Sequence, residues 1–224
     1  MSSIYSLKNE ISIHYFQKYL SQEKAKKLYD LFEGKMIYNT EEQSMVRIHG
    51  KYIKIPRKQV AYGKEGTEYN FTGNKVKARS YDENDEISLE IKKLITNLNS
   101  DLGRQYNFVL INRYEDGNQY IGPHSDDERD LIEDYTIAGI SLGAERNIVF
   151  TKGYTIKKET NTKSITNWFH NEKHDELPDE YKLKLENGSL FVMYQPTNKK
   201  WKHSIPKVNI CNQPRISLTF REMK

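Results

Sequence analysis

The chain has 224 residues, of which 36% are hydrophobic and 12% aromatic, enough for a sizeable core and too many for wholesale disorder, while 29% charged residues mark a heavily solvated surface. Its formal net charge of +4 is compatible with a polyanionic partner but too small to identify one. The single cysteine, Cys211, excludes an intrachain disulfide and a cysteine-rich zinc site, and no stretch is long and apolar enough to span a membrane.

Met1 to Lys8 has neither the basic nor the apolar region of a signal peptide, so an intracellular protein, nuclear or cytoplasmic and not secreted, is expected. Ser21 is an N-cap candidate for a helix carrying Ala25, Leu28, Tyr29 and Phe32 at helical spacing and stopped by Gly34. Residues 1–44 are therefore expected to form an N-terminal helical extension to a main domain over 45–224. From Met45 to Ile55, short apolar residues interleaved with Arg47, His49, Lys51 and Lys54 suggest strands or a hairpin with a basic rim. Pro56-Arg57-Lys58-Gln59 and Tyr62-Gly63 follow, and then Tyr69 and Phe71, two apart and so on one face of an extended chain.

Ile87, Ile91, Leu94, Ile95, Leu98 and Leu102 form the stripe of a second helix, with Gly103 just beyond. Phe108 to Ile111 suits a buried strand that delivers Asn112-Arg113-Tyr114, and Asp116-Gly117 turns the chain. The alternation from Ile137 to Gly143 and the run from Asn147 to Thr151 add strands. Residues from about 152 to 187 are polar and charge-dense, with Trp168-Phe169-His170 as an island, and read as a long insertion between strands. Gly188 to Met193 restores the strand pattern. In the last segment Ile216, Leu218 and Phe220 share one face, while Arg215, Ser217, Thr219 and Arg221 share the other. The sum is a mainly β, α+β fold with flanking N-terminal helices.

His124-Ser125-Asp126 puts two metal-binding side chains on one side of an extended backbone. Alone this pattern is weak and is more often a polar turn. With His203 it would make a set of two imidazoles and one carboxylate, which leaves open positions on a non-haem Fe(II). Arg215 and Arg221 lie roughly 20 Å apart along a strand at about 3.3 Å per residue. They could serve one small diacid only by leaning inward over Ser217 and Thr219, each guanidinium then gripping a carboxylate in a two-pronged contact. His170 and His174 near Glu172 do not make a metalloprotease helix, because Asn171 stands where the glutamate is needed; a zinc hydrolase is disfavoured.

Six ordered blocks resemble the AlkB-type Fe(II) and 2-oxoglutarate-dependent dioxygenases, nearest the branch that repairs alkylated duplex DNA. They are Pro56 to Gln59 with Tyr62-Gly63, Asn112 to Tyr114 with Asp116-Gly117, His124 to Arg129, Ser141-x-Gly143-Ala144-x-Arg146, Pro196-Thr197-Asn198 with Trp201 and His203-Ser204, and Arg215 to Arg221. The resemblance implies a double-stranded β-helix, or jelly roll, in which 45–224 is the dioxygenase domain and 45–80 its nucleotide-recognition segment. It implies Fe(II) on His124, Asp126 and His203, and 2-oxoglutarate held by Asn112, Tyr114, Arg215, Thr219 and Arg221, with O2 as the second co-substrate. Tyr69, Phe71, Asp127, Glu128, His49 and Arg57 are implied as substrate contacts, Phe71 stacking on an extruded base opposite His124.

The implied activity is oxidative demethylation of N1-methyladenine and N3-methylcytosine in DNA, by a chain expected to be monomeric. A base inside a duplex cannot reach a buried iron, so it must be flipped out, which a weakened pair makes easier. The methylated ring is cationic, and Asp127 and Glu128 beside it are electrostatically sensible. Alternatives are RNA as the substrate, and a non-catalytic nucleic-acid-binding module on the same fold. Two positions depart from the family pattern. Ser217 replaces an asparagine between the arginines, and His49 stands where duplex-repair relatives carry an aromatic wedge, filling a vacated base stack less well. Lys157, Lys158 and Lys163 in the insertion could grip phosphates.

Overall fold

The structure is a computed structural model that describes residues 2–7, 11–48, 50–71, 74–126, 129–152, 162–164 and 180–224. His49, Asp127, Glu128, the Phe71 side chain, Lys157, Lys158 and the 165–179 stretch with its tryptophan and histidines lie outside what is described.

Seventeen strands are seen among the described residues. Eight build a major sheet: β1 (Ser2–Leu7), β2 (Ile11–Phe16), β5 (Lys58–Gly63), β8 (Arg79–Ser80), β9 (Phe108–Tyr114), β11 (Ile137–Gly143), β15 (Leu190–Met193) and β17 (Arg215–Arg221), in the order β1-β2-β15-β11-β17-β9-β5-β8. Five build a minor sheet: β10 (Ile121–His124), β12 (Arg146–Lys152), β13 (Thr162–Ser164), β14 (Glu180–Leu185) and β16 (Trp201–Ile205), in the order β10-β16-β12-β14-β13. Two hairpins stand apart, β3 (Met45–Ile48) with β4 (Lys51–Lys54), and β6 (Glu68–Phe71) with β7 (Asn74–Lys77).

The two large sheets face each other as a jelly roll. Ile13, Ile137 and Phe191 from the major sheet meet Phe150, Leu183 and Trp201 from the minor one in a shared core. The other face of the major sheet is covered by α1 (Gln22–Lys35) and α2 (Glu86–Leu102), through Leu28, Phe32, Ile91 and Leu94 packed on Ile140, Leu218 and Phe220. Burying each such side chain contributes about 1.5–3 kcal/mol, which outweighs the weak intrinsic helicity of either segment. Ser21 accepts from Lys24 N and starts α1, and Asp85 accepts from Ile87 N and Ser88 N and starts α2. Gly103 ends α2 at φ 63°, a left-handed cap that favours glycine. The first helix passes through Gly34 to Lys35, where Met36 caps it.

Residues 1–44 are not a helical extension. Among the described residues they hold one α-helix and a 3-10 turn at Glu42–Ser44, and β2 pairs with β15 inside the major sheet, so the N-terminal hairpin completes the main fold. Ile11, Ile13 and Tyr15 point into the intersheet core, and that burial is why the segment is extended. The end of the expected insertion is likewise core: in β14, Tyr181, Leu183 and Leu185 are buried while Lys182 and Lys184 face out, a period of two that dense charge conceals. Within 45–80, β5 joins the major sheet by pairing with β9, while the β3–β4 and β6–β7 hairpins stand outside the two large sheets.

Candidate active site

His124 and His203 are direct partners across the β10–β16 ladder, so sheet register brings the two imidazoles together, with ring centres 4.2 Å apart. His124 donates from Nδ1 to Gly122 O at 2.9 Å, which leaves its Nε2 lone pair free for a ligand role. Asp126, just past the end of β10, is 2% exposed and brings Oδ2 to 3.5 Å from His203 Nε2. One donor atom from each of the three side chains lies within 4.8 Å of the others, a set able to hold one metal ion.

Electrostatics prepare these groups. Burial, reinforced by His203, pushes the His124 imidazole down to about 4, so it is neutral near pH 7. Burial opposes ionisation of Asp126, but the Arg221 guanidinium and the two histidines outweigh it and hold the carboxyl well below the usual carboxylate range. Arg221 donates from Nη2 to Asp126 Oδ1 at 2.6 Å and to Tyr69 OH at 3.3 Å, with its guanidinium 5.0 Å from the Tyr69 ring centre.

Arg215 sits at the other end of the same face of β17. It is 1% exposed and donates from Nη2 to Ser141 Oγ at 2.9 Å and Ser217 Oγ at 3.3 Å. Its Nε and Nη1 are buried and find no acceptor among the described residues. Burial pushes this guanidinium down to about 10, still cationic near neutrality. A buried cation with two unused donors is a seat for an anion, and a carboxylate matches the fork.

The neighbouring strand completes that seat. Pairing of β9 with β17 sets Asn112 opposite Ser217 and Tyr114 opposite Arg215. Asn112 Oδ1 accepts from Arg57 Nε at 2.8 Å and from Gln59 Nε2 at 2.7 Å. An arginine nitrogen can only donate, so the atom facing it must be the amide oxygen, and Asn112 is left to offer its NH2. Arg57 also donates from Nη1 to Tyr120 O at 3.2 Å. Arg57 thereby links Asn112 to the Tyr120 backbone while lining the same cavity.

One cavity of about 490 Å³ unites the set: His124, Asp126, His203, Asn112, Tyr114, Arg215, Ser217, Thr219, Arg221, Tyr69 and Arg57 all line it. That volume suits a small ligand. The two arginines are engaged differently: Arg221 donates to Asp126 and Tyr69, while Arg215 donates to Ser141 and Ser217. Tyr69 is 4% exposed and stacks on Phe108 at 5.4 Å, so it forms wall as well as lining. Of the other implied substrate contacts, His49, Asp127, Glu128 and the Phe71 side chain lie outside the described residues.

Sequence reasoning gave no role to Gln59, Tyr135 or Asn198. Gln59 and Asn198 fall inside resembling blocks, but only long-range contacts reveal what they do: Gln59 fixes Asn112, while Asn198 and Tyr135 hold the Asp126 backbone.

A family model described as the 2OG-Fe(II) oxygenase superfamily matches residues 12–221. The chain is 35% identical over 199 residues to the DNA oxidative demethylase ALKBH2 of Bos taurus, covering 89% of this chain and 64% of that protein. Against ALKBH2 of Homo sapiens it is 32% identical over 203 residues, covering 89% and 69%. The chain therefore spans about two thirds of the length of these relatives. The solved structure of OsALKBH1 superposes with a TM-score of 0.55 at 13% identity, over 98% of this chain and 100% of that one, a likeness of fold.

Proposed function

The chain belongs to the AlkB-type branch of the 2OG-Fe(II) oxygenase superfamily, and from that premise we propose that it is a dioxygenase that oxidatively demethylates alkylated bases in DNA. The observation that carries the reading is one cavity holding both a two-histidine, one-carboxylate cluster and a buried guanidinium with unused donors. The donor set fits Fe(II), and the Arg215 fork fits a carboxylate of 2-oxoglutarate. His124, Asp126 and His203 would hold the metal; Arg215, Asn112 and Tyr114 would hold the keto acid, with Thr219 and Arg221 beside it. When bound, iron, 2-oxoglutarate and O2 together supply the oxidation of a C–H bond, giving succinate and CO2.

The chain's own residues do the rest. Arg215 and the Asn112 amide orient the keto acid, and the Arg221 guanidinium keeps Asp126 ionised and aimed. The apolar walls around Ile137, Phe191 and Ile205 exclude water. On the substrate side Tyr69 offers a flat wall, and Phe71, Asp127 and Glu128 would receive a flipped cationic base, N1-methyladenine or N3-methylcytosine. Hydroxylation of the N-methyl carbon gives an N-hydroxymethyl group, whose C–N bond then breaks to return the ring nitrogen and release formaldehyde.

The test is formaldehyde release from methylated single-stranded DNA, duplex DNA and RNA, with Fe(II), 2-oxoglutarate or O2 left out in turn. The proposal requires all three components and predicts product from DNA. Turnover that survives removal of the keto acid would sink it, RNA turnover alone would move the activity to that substrate, and tight methylated-oligonucleotide binding without product would favour a non-catalytic module.

A further inference from the structure

Asn198 lies 72 positions from Asp126 in sequence, and its side-chain amide is paired with the Asp126 peptide on both sides. Its Oδ1 accepts from Asp126 N at 3.0 Å, and its Nδ2 donates to Asp126 O. Tyr135 OH closes the cluster, donating to Asp126 O at 2.7 Å and accepting from Asn198 Nδ2 at 2.6 Å. Asn198 is 2% exposed, so the amide is buried. The carboxamide offers an acceptor and a donor 1,3 to each other and so meets the N–H and the C=O of Asp126 at once, which aspartate, without a donor, and alanine, without either group, cannot do.

The turn that carries Asn198, Thr197–Lys200, leads directly into β16 and so to His203. On its other side Thr197 Oγ1 accepts from Ser12 N at 2.6 Å and donates to Ser12 O at 3.2 Å, tying the turn to β2 of the major sheet. Asp126 itself has left the β10 ladder, whose last paired residue is His124. Without a strand partner its peptide depends on side chains to keep it from rotating and carrying the carboxylate away from His203. We propose that Asn198 is a positioning residue for the metal centre: its amide clamp locks the Asp126 peptide to the segment bearing His203, fixing two metal ligands relative to each other. The role rests on the proposed metal site and adds a residue that touches no ligand.

Co(II) titration, followed by its visible absorption and by calorimetry, tests this on the full chain. Asn198→Ala is expected to weaken Co(II) binding about 10–100-fold and to alter the absorption envelope, the usual size for loss of a group that orients a metal ligand. Thr197→Val loosens the other side of the same turn without touching Asp126; it is expected to lower the melting temperature while leaving the Co(II) Kd within about twofold. Tyr135→Phe, which keeps the clamp but removes the hydroxyl, is expected to weaken Co(II) by a few-fold and serves if Asn198→Ala does not fold. Unchanged Co(II) affinity in both Asn198→Ala and Tyr135→Phe, or an equal loss in Thr197→Val, overturns the inference and leaves Asn198 a purely structural residue. Wild-type protein that binds no Co(II), or binds it equally well as Asp126→Ala, would instead refute the metal site itself.

Discussion

Arg221 and Asp126 form an ion pair at 2.6 Å in which the two side chains are only 3% and 2% exposed. Removing one partner of such a pair strands the other charge in a poorly solvated place. Arg221→Met should therefore destabilise the metal-free protein by about 3–5 kcal/mol in urea unfolding and raise the carboxyl of Asp126. A midpoint unchanged from wild type would show that Asp126 is neutralised by other means.

The opposite sign is expected at the far end of the same strand face. Arg215 is desolvated without a carboxylate partner, so Arg215→Met should leave the stability of the ligand-free protein unchanged or raise it. The same change should abolish keto-acid binding, and Arg215→Lys, which keeps charge but loses the fork, should raise the KM for 2-oxoglutarate about 10–100-fold. Equal KM values for Lys and Arg would place the co-substrate elsewhere.

These two arginines show what was legible in the sequence and what was not. Strict alternation from Arg215 to Arg221 fixed which face each residue takes, because a strand has period two. Different duties for the two guanidiniums depend on where Asp126, just past β10, and Ser141, on β11, arrive from elsewhere in the chain, and no local pattern carries that. The helices were readable from caps and stripes for the same local reason. The hairpin of 1–16 was hidden because its partner, β15, is far along the chain, and β14 was hidden because lysines on its outer face mask the buried Tyr181, Leu183 and Leu185. The His-x-Asp motif with a distant His203 was found through resembling blocks, while its physical warrant is the β10–β16 register.

Acid sensitivity should follow from His124. Its folded value of about 4 lies below the 6.5 of an ordinary imidazole, so across that window the unfolded chain binds a proton that the folded one refuses. Stability of the metal-free protein should rise with pH from about 4 to 6.5 and fall as pH drops through it. His14, lowered by burial, acts in the same direction, so the readout is the difference between wild type and His124→Gln in urea midpoints against pH. The variant should show the shallower slope, and parallel curves would mean that His124 titrates normally.

The Asn112 amide should depend on Gln59. Gln59→Leu removes one of the two donors that fix its orientation and is expected to raise the KM for 2-oxoglutarate about fivefold, roughly the worth of one neutral hydrogen bond, with a smaller change in kcat. A kcat loss with KM unchanged would argue against a co-substrate role for Asn112.

Packing under the cavity leaves no room at Gly139. A Cβ there would lie 2.1 Å from the Phe191 ring, which lines the cavity and faces Gly139 across β11 and β15. Gly139→Ala should cost about 1–3 kcal/mol and displace Phe191, and Gly139→Ala with Phe191→Leu should recover part of that loss. Full wild-type stability in the single variant would contradict the packing.

The most direct measurement is product stoichiometry on an N1-methyladenine oligonucleotide for wild type and His203→Ala. One succinate and one formaldehyde per methyl group lost in the wild type, with neither formed by the variant, is the predicted result. Methyl loss by His203→Ala at the wild-type rate, or formaldehyde without succinate, would contradict a metal centre built on His124, Asp126 and His203.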